Sequence, residues 1–286
     1  MLDTHLPFNA PIGEYAAQVD ALLASGQAAG AEDARRSIAR AYDFQDWQSL
    51  EEYAASVQDA ASPVARFEFG VEAVINGDIA TLTELLADDP RLVRARSTRV
   101  NHADPPMHRS TLLHYLAANG VEAYRQRSPQ NAADIAKLLL SKGADPNALS
   151  FAYGGTCTTL ALLVSSTPPA RAGVQVPLVE LLIDFGASML PQGQGHWTSP
   201  VETALIFGNH LAATALVRRG APIQTLAAAA GLGYVDDVKR MLPAATPLDR
   251  HRALALAAQS GKPEIVAVLL DAGEDPNRFN PPGTHS

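Results

Sequence analysis

Cysteine occurs once in the 286 residues, at Cys157. A single thiol excludes an intramolecular disulfide and a cysteine metal cluster, so a reducing compartment is expected. Aromatic residues are scarce at 6%, and Val, Ile and Thr rarely alternate with polar residues, which argues against sheets. No apolar stretch approaches a membrane span, and the start MLDTHLPFNAPIGEY lacks the basic beginning and apolar run of a secretory signal. A formal net charge of −8 with no dense Lys/Arg cluster argues against a phosphate backbone as the main partner. The expectation is a cytoplasmic protein that engages neither nucleic acid nor membrane. Motifs for nucleotide binding, metal hydrolysis or a nucleophile elbow are missing too. Gly154 and Gly155 precede Thr156, but no lysine follows to complete a phosphate loop. No cofactor and no metal are implied.

What the chain does have is 47% hydrophobic residues, mostly Ala and Leu, enough for a sizeable core. It also repeats itself. Residues 133–147 read ADIAKLLLSKGADPN and residues 263–277 read PEIVAVLLDAGEDPN, and between them lie VELLIDFGAS at 179–188 and AATALVRRGAP at 212–222. Gly143, Gly186 and Gly220 stand 43 and 34 residues apart, and a period of about 33 with insertions is a solenoid signature. Each of these helices follows another, such as STLLHYLAANG at 110–120 or HRALALAAQSG at 251–261. Their small residues let stacked helices approach closely.

These residues resemble the ankyrin repeat, whose first helix opens T-P-L-H-x-A-A-x-x-G and whose second ends L-L-x-x-G-A-D-x-N. STLLHYLAANG carries Leu in place of the proline and puts the family's histidine at His114; the unit at 251–277 matches from Ala257 to Asn277. The resemblance spans roughly residues 66–277, beginning with FEFGVEAVINGDIATLTELLADDP and passing a short, poor unit at 225–242. It implies an all-α solenoid of stacked helix pairs over residues 63–286, about six units, one of them degenerate. His114 reads as a structural histidine of the turn between repeats, and Asp145, Asn147, Asp275 and Asn277 read as turn formers.

The first 62 residues carry a different pattern. Ile12, Tyr15, Val19, Leu22 and Leu23 fall at helical spacing, as do Ala34 and Ile38, and Trp47, Leu50, Tyr53 and Val57. Asp46 is placed to cap the third segment. Three short helices would form an N-terminal cap over the first repeat. After GEDPN the sequence reads RFNPPGTHS and stops: either Ser286 is not the natural end, or the last unit presents an open face that would favour self-association or a partner.

Function specific to this chain is expected where the period breaks, at insertions over 94–109, 121–130 and 167–176 and at the loop 190–199. The first brings His102 and His108, the second Tyr124, Arg125 and Arg127, the third Arg171, and the loop His196 and Trp197. Tyr153 and Cys157 stand beside them in sequence. Two readings of the arginines compete. They pair with carboxylates such as Asp134 or Glu180 and stiffen the insertions, or they form an oxyanion pocket beside Tyr or His. Cys157 is read as a buried small apolar residue against a nucleophile, and the loop histidines as general acids or bases rather than zinc ligands. The leading expectation is a binding module that recognises a protein partner through its concave face and inserted loops. Its rival is a cofactor-free enzyme, a cyclase or isomerase using acid-base chemistry on a carbonyl compound, or a small-molecule binder with its site between the insertions. A third reading is self-association through the C-terminal repeat.

Overall fold

The computed structural model describes residues 5–118, 120–194 and 199–279. Three helices come first, α1 (Ile12–Ala24), α2 (Ala31–Ala41) and α3 (Trp47–Ser56). The third begins where Asp46 Oδ1 accepts the Ser49 N–H at 2.8 Å, the capping bond that satisfies an otherwise orphaned donor. Tyr15, Val19, Ile38, Leu50, Tyr53 and Val57 turn inward with Phe8, Tyr42 and Phe44 to make a core of their own. Ile12, on the same periodic stripe, stays 36% exposed.

Helix pairs follow. The first two are α4 (Pro63–Asn76) with α5 (Ile79–Asp88), and α6 (Leu112–Leu116) with α7 (Ala132–Ser141). An antiparallel hairpin, β1 (Leu149–Ala152) and β2 (Gly155–Thr158), leads to α8 (Thr159–Ser165), the short α9 (Thr167–Arg171) and α10 (Gln175–Asp184). Then come α11 (Pro200–Ile206) with α12 (His210–Arg218), α13 (Leu226–Leu232) with α14 (Val235–Met241), and α15 (Pro247–Gln259) with α16 (Pro263–Asp271). First helices stack in the order α4, α6, α8, α11, α13, α15, and α5, α7, α10 and α12 stack beside them. The hairpin is an addition to the all-α expectation. Its two-residue turn holds Tyr153 at φ 53° and Gly154 at φ 74°, the doubly left-handed pair whose twist matches two antiparallel strands.

The periodic leucines build one continuous core through the first four pairs, where Leu113, Ile135, Leu139, Leu160, Leu178, Leu182 and Leu216 are at most 2% exposed. Burying each such side chain contributes roughly 1.5–3 kcal/mol. The unit at 225–242, short as a sequence, is a complete helix pair. Its alanines and Gly231 let α13 lie tightly between its neighbours: a Cβ on Gly231 would stand 3.0 Å from Leu256 and 3.1 Å from Leu205. The close approach allows the Gln259 amide on α15 to donate to the Ile206 carbonyl of α11 at 2.9 Å.

Asp145 acts locally, accepting the Asn147 N–H at 2.9 Å. Asn147 does more than form a turn. Its Nδ2 donates to the Gly186 carbonyl at 2.9 Å, and its Oδ1 accepts the Ser188 N–H at 2.8 Å. Both partners lie in the next repeat, so this amide fixes the spacing between two units. In the second copy of the same fifteen residues, the Asn277 amide reaches only Asp275 among the described residues, at 3.3 Å. Replacing Asn147 by Ala is expected to cost about 1–3 kcal/mol by leaving two backbone groups unpaired. Asn277→Ala is expected to stay within about 0.5 kcal/mol of the parent. Equilibrium urea denaturation distinguishes them, and equal losses would reduce Asn147 to a local turn residue.

Candidate functional site

The irregular segments meet at the junction between the N-terminal helices and the first repeats. Helix α4 starts where the Ser62 hydroxyl accepts the Ala65 N–H at 3.0 Å, with Pro63 at its first position. This register turns Glu68 inward, where it is 1% exposed. The insertion 94–109 folds back under the N-terminal unit: Gln45 N–H donates to the Val100 carbonyl at 3.0 Å, and Arg99 donates to the Tyr42 carbonyl at 2.8 Å. The insertion 121–130 closes from the other side with a 3-10 turn at Ala123–Arg125. Arg99, Arg125, Glu68, Glu122 and His108 thereby meet out of contact with water.

Their bonding is dense. Arg125 stands 2.6 Å from Glu68, 3.1 Å from Glu122 and 3.2 Å from Glu72. Arg99 lies 3.6 Å from Glu68 and 3.7 Å from Glu122, with its guanidinium 4.3 Å from the Phe44 ring centre and 4.6 Å from that of Tyr53. Tyr53 donates to Glu68 at 3.1 Å, and Tyr115 to Glu122 at 2.7 Å. Nδ1 of His108 accepts the Ser110 N–H at 3.1 Å, which leaves Nε2–H to donate to Glu122 at 2.9 Å. Two buried cations face two buried anions, so the cluster is close to neutral.

Burial would raise the Glu122 carboxyl, but Arg99, Arg125 and the His108 bond outweigh it and hold it well below the usual carboxylate range. Burial and then Glu122 push the Tyr115 phenol well up. Such groups in a cleft would be candidates for acid-base catalysis. Here each is closed against another protein group, and Ser110 is fully buried. The cluster binds protein to protein and leaves no face for a substrate.

The sequence-derived candidates thus separate. Arg125 and His108 are inside the cluster, with Tyr124 half-buried at its rim, 5.1 Å from the stacked ring of His5. The arginines do pair, but Arg125 takes Glu68, Glu72 and Glu122 rather than Asp134, while Glu180 serves Arg218. Arg127 is exposed beside Glu72 at 3.3 Å. Arg171 is exposed on α9, and His102 in its own loop. The insertions 121–130 and 167–176 meet where Gln130 donates to the Ala172 carbonyl at 3.2 Å. Arg125 and Arg171 nevertheless do not converge, one being buried and the other in solvent. Cys157 is fully buried in β2, and burial pushes its thiol up to about 12, which removes it as a nucleophile. Tyr153 is 69% exposed on the hairpin turn. His196 and Trp197 lie outside the described residues.

Glu68, Glu122 and Arg99 are the residues that sequence reasoning missed. Glu68 had a signal: it shares a helical face with Ala65 and Val71, where a carboxylate needs a buried partner. Arg99 and Glu122 sit in loops without period and had none. His114 plays the structural part expected of it. Its Nδ1 accepts the Thr111 N–H at 3.2 Å, and burial, helped by Arg96, pushes the imidazole down to about 3.

Among the described residues no group of three His, Cys, Asp or Glu side chains is placed to hold a metal, and no helix is long and apolar enough to cross a membrane. An apolar gap among Leu113, Leu116, Leu163 and Leu178 is too small for a ligand.

Glu122→Gln would leave two buried guanidinium groups undercompensated, and a loss of roughly 3–5 kcal/mol is expected. Arg127→Gln, at an exposed pair, should change stability by less than about 1 kcal/mol. Glu122 and His114 both titrate lower in the folded chain than in the unfolded one, so unfolding takes up protons in acid. Stability should therefore fall as pH drops below 6.5 through His114 and then further through Glu122, with less of the second loss in Glu122→Gln. Denaturant titrations from pH 7 down to about 3 measure this, and a flat profile would contradict the buried positions of both groups.

Residues 108–150 match the family model of the ankyrin repeat. The ankyrin repeat domain of human ASB11 aligns over 76% of this chain and 88% of its own, at 22% identity and a TM-score of 0.45. No curated protein matches the chain.

Proposed function

We propose that this ankyrin-repeat chain is a protein-interaction module that reads its partner on the side carrying the hairpin and the inserted loops. One observation carries this placement. Tyr153 is exposed, yet held at φ 53°, a conformation that a bulky residue adopts only at a cost of about 1–2 kcal/mol. Its ring is seated over Gly120, where a Cβ would stand 3.0 Å from it. An aromatic side chain that is held in a strained backbone conformation and largely exposed is suited to anchor an interface. The enzyme reading has no comparable support, since Arg125 and His108 are consumed by the buried cluster.

A photo-crosslinking amino acid placed at position 153 is expected to yield a discrete protein adduct in cell extract. The same group at position 214, an exposed Thr on the outer helix α12, should yield none. Adducts of equal strength at both positions would sink the placement on this side.

A second reading, self-association through the last helix pair, rests on the comparison of the two fifteen-residue copies. Ala136 and Leu140 on α7 are 0% and 5% exposed beneath the next repeat. Their counterparts Val266 and Leu270 on α16 are half-buried and 39% exposed, and no helix pair covers them among the described residues. Light scattering across a concentration series should give a mass above one chain for the parent and one chain for Leu270→Glu. A parent that runs as a single chain throughout would exclude this interface.

A further inference from the structure

We propose that the first two repeats carry a cationic docking surface, made by Arg94, Arg96, Arg109 and Lys142, for an acidic segment of a protein partner. The proposal deepens the protein-interaction reading and rests on it. These four residues are scattered over 49 positions of sequence, which is why no basic cluster is visible there. The fold collects them. Arg94 donates from Nε to the Gly143 carbonyl at 3.2 Å, which lays it beside Lys142. Arg96 donates from one nitrogen to the Arg109 carbonyl at 2.9 Å and to the Leu149 carbonyl at 2.6 Å. Its guanidinium thus spans two neighbouring extended segments, joined to each other where the Phe151 N–H donates to the His108 carbonyl at 2.7 Å.

Two features mark this group, of which the first, the lack of an ion pair, is shared among the described residues with other exposed cations such as Arg171 and Lys239. Arg66, Arg91, Arg218, Arg219 and Arg240 each have a carboxylate partner, at Asp88, Asp89, Glu180, Asp184 and Asp237. Arg94, Arg96, Arg109 and Lys142 make no ion pair among the described residues; the nearby Asp145 accepts the Asn147 N–H. Second, Arg94 and Arg96 are tethered through backbone carbonyls, which carry no net charge. Their positive charge is kept while part of the entropy cost of fixing them is already met by the fold. A tethered guanidinium with free N–H groups fits a carboxylate in the bidentate way.

The charge of the whole chain narrows the occupant. At −8 the surface elsewhere repels an acidic segment, so a short run of Asp and Glu would be concentrated on this patch. A phosphate backbone carries charge at regular, close spacing over a long track and would run off four cations onto acidic surface. A short acidic peptide is therefore the better match.

The test uses the full chain and a fluorescein-labelled oligoglutamate peptide, followed by anisotropy at low and high salt. Binding that weakens with salt is expected. Arg109→Glu with Lys142→Glu should lower affinity by about tenfold or more, while Arg171→Glu should leave it unchanged. Neither Arg109 nor Lys142 uses its side chain in a bond among the described residues, and Lys142→Glu alone serves if the double variant fails to fold. Absence of peptide binding, or an equal loss in Arg171→Glu, would overturn the proposal. So would tighter binding of an oligonucleotide of equal charge. Crosslinking at position 153 fails or succeeds independently of these results, so the patch and the broader protein-interaction reading can fall separately.

Discussion

Two guanidinium groups that never reach solvent set the relation between the N-terminal helices and the repeats. Arg99 comes from the loop before α6 and Arg125 from the loop after it, and both meet Glu68 from the first repeat and Glu122 from the second insertion. The aromatic walls belong to the N-terminal unit, through Phe44 and Tyr53. Against a hydrophobic contact of the same size, such a cluster adds little net stability, because desolvation consumes most of the attraction. What it adds is intolerance of error. A shifted or rotated N-terminal unit would leave buried charges unpaired, and that penalty far exceeds the loss of some apolar contact. The apolar core holds the pieces together, and the ionic cluster decides how they fit.

The same division of labour runs along the solenoid. Leucines and alanines supply the non-directional attraction between pairs, while single amides fix the register. Asn147 bonds the following repeat, Asn131 donates to the Gly77 carbonyl of the preceding one at 2.8 Å, and Asn209 donates to the Val164 carbonyl at 2.8 Å. Each links two units, across 39, 54 and 45 residues of sequence respectively, with a neutral hydrogen bond. Each also uses the carbonyl end of one unit and a short side chain of another, so the connectors are local and repeatable. That is why the spacing survives the insertions: extra residues leave through the loops, and the connecting amides keep their partners.

The repeats were legible in the sequence because stacking imposes a period. Ile135, Leu139 and Leu182 announce themselves by spacing, and Asp46 and His114 by their place in a turn or cap. The degenerate unit was harder, since Ala and Gly on α13 look like weak helix signal until the tight space between Leu205 and Leu256 is known. The candidate site was legible only in part. Arg125 stood out as a charge in an irregular loop, but whether it faces water or protein depends on Glu68 and Glu122, which lie 57 and 3 residues away. Burial of a loop has no period to read. The hairpin was missed for a related reason: strands of four residues are too short to show alternation, and only the left-handed turn at Tyr153 and Gly154 makes them pair.

Insertions in a solenoid are commonly read as recognition loops, yet here two of the three carry residues that lock the N-terminal unit in place. Residues 97–101 and 122–125 turn their charged side chains Arg99, Glu122 and Arg125 inward. The consequence is a rigid first half. With Arg99 immobilised, the extended segment that carries Arg96 inherits a fixed frame, and the hairpin joins it where the Phe151 N–H donates to the His108 carbonyl. Surface groups on that frame, Tyr153 on its turn and Arg96 across two carbonyls, are ordered before any partner arrives. Ordering in advance lowers the entropy lost on binding, so a modest patch on a locked scaffold can achieve what a larger flexible surface would otherwise need. On the proposed reading, the buried cluster bears on recognition without touching a partner, by holding still the groups assigned to meet one.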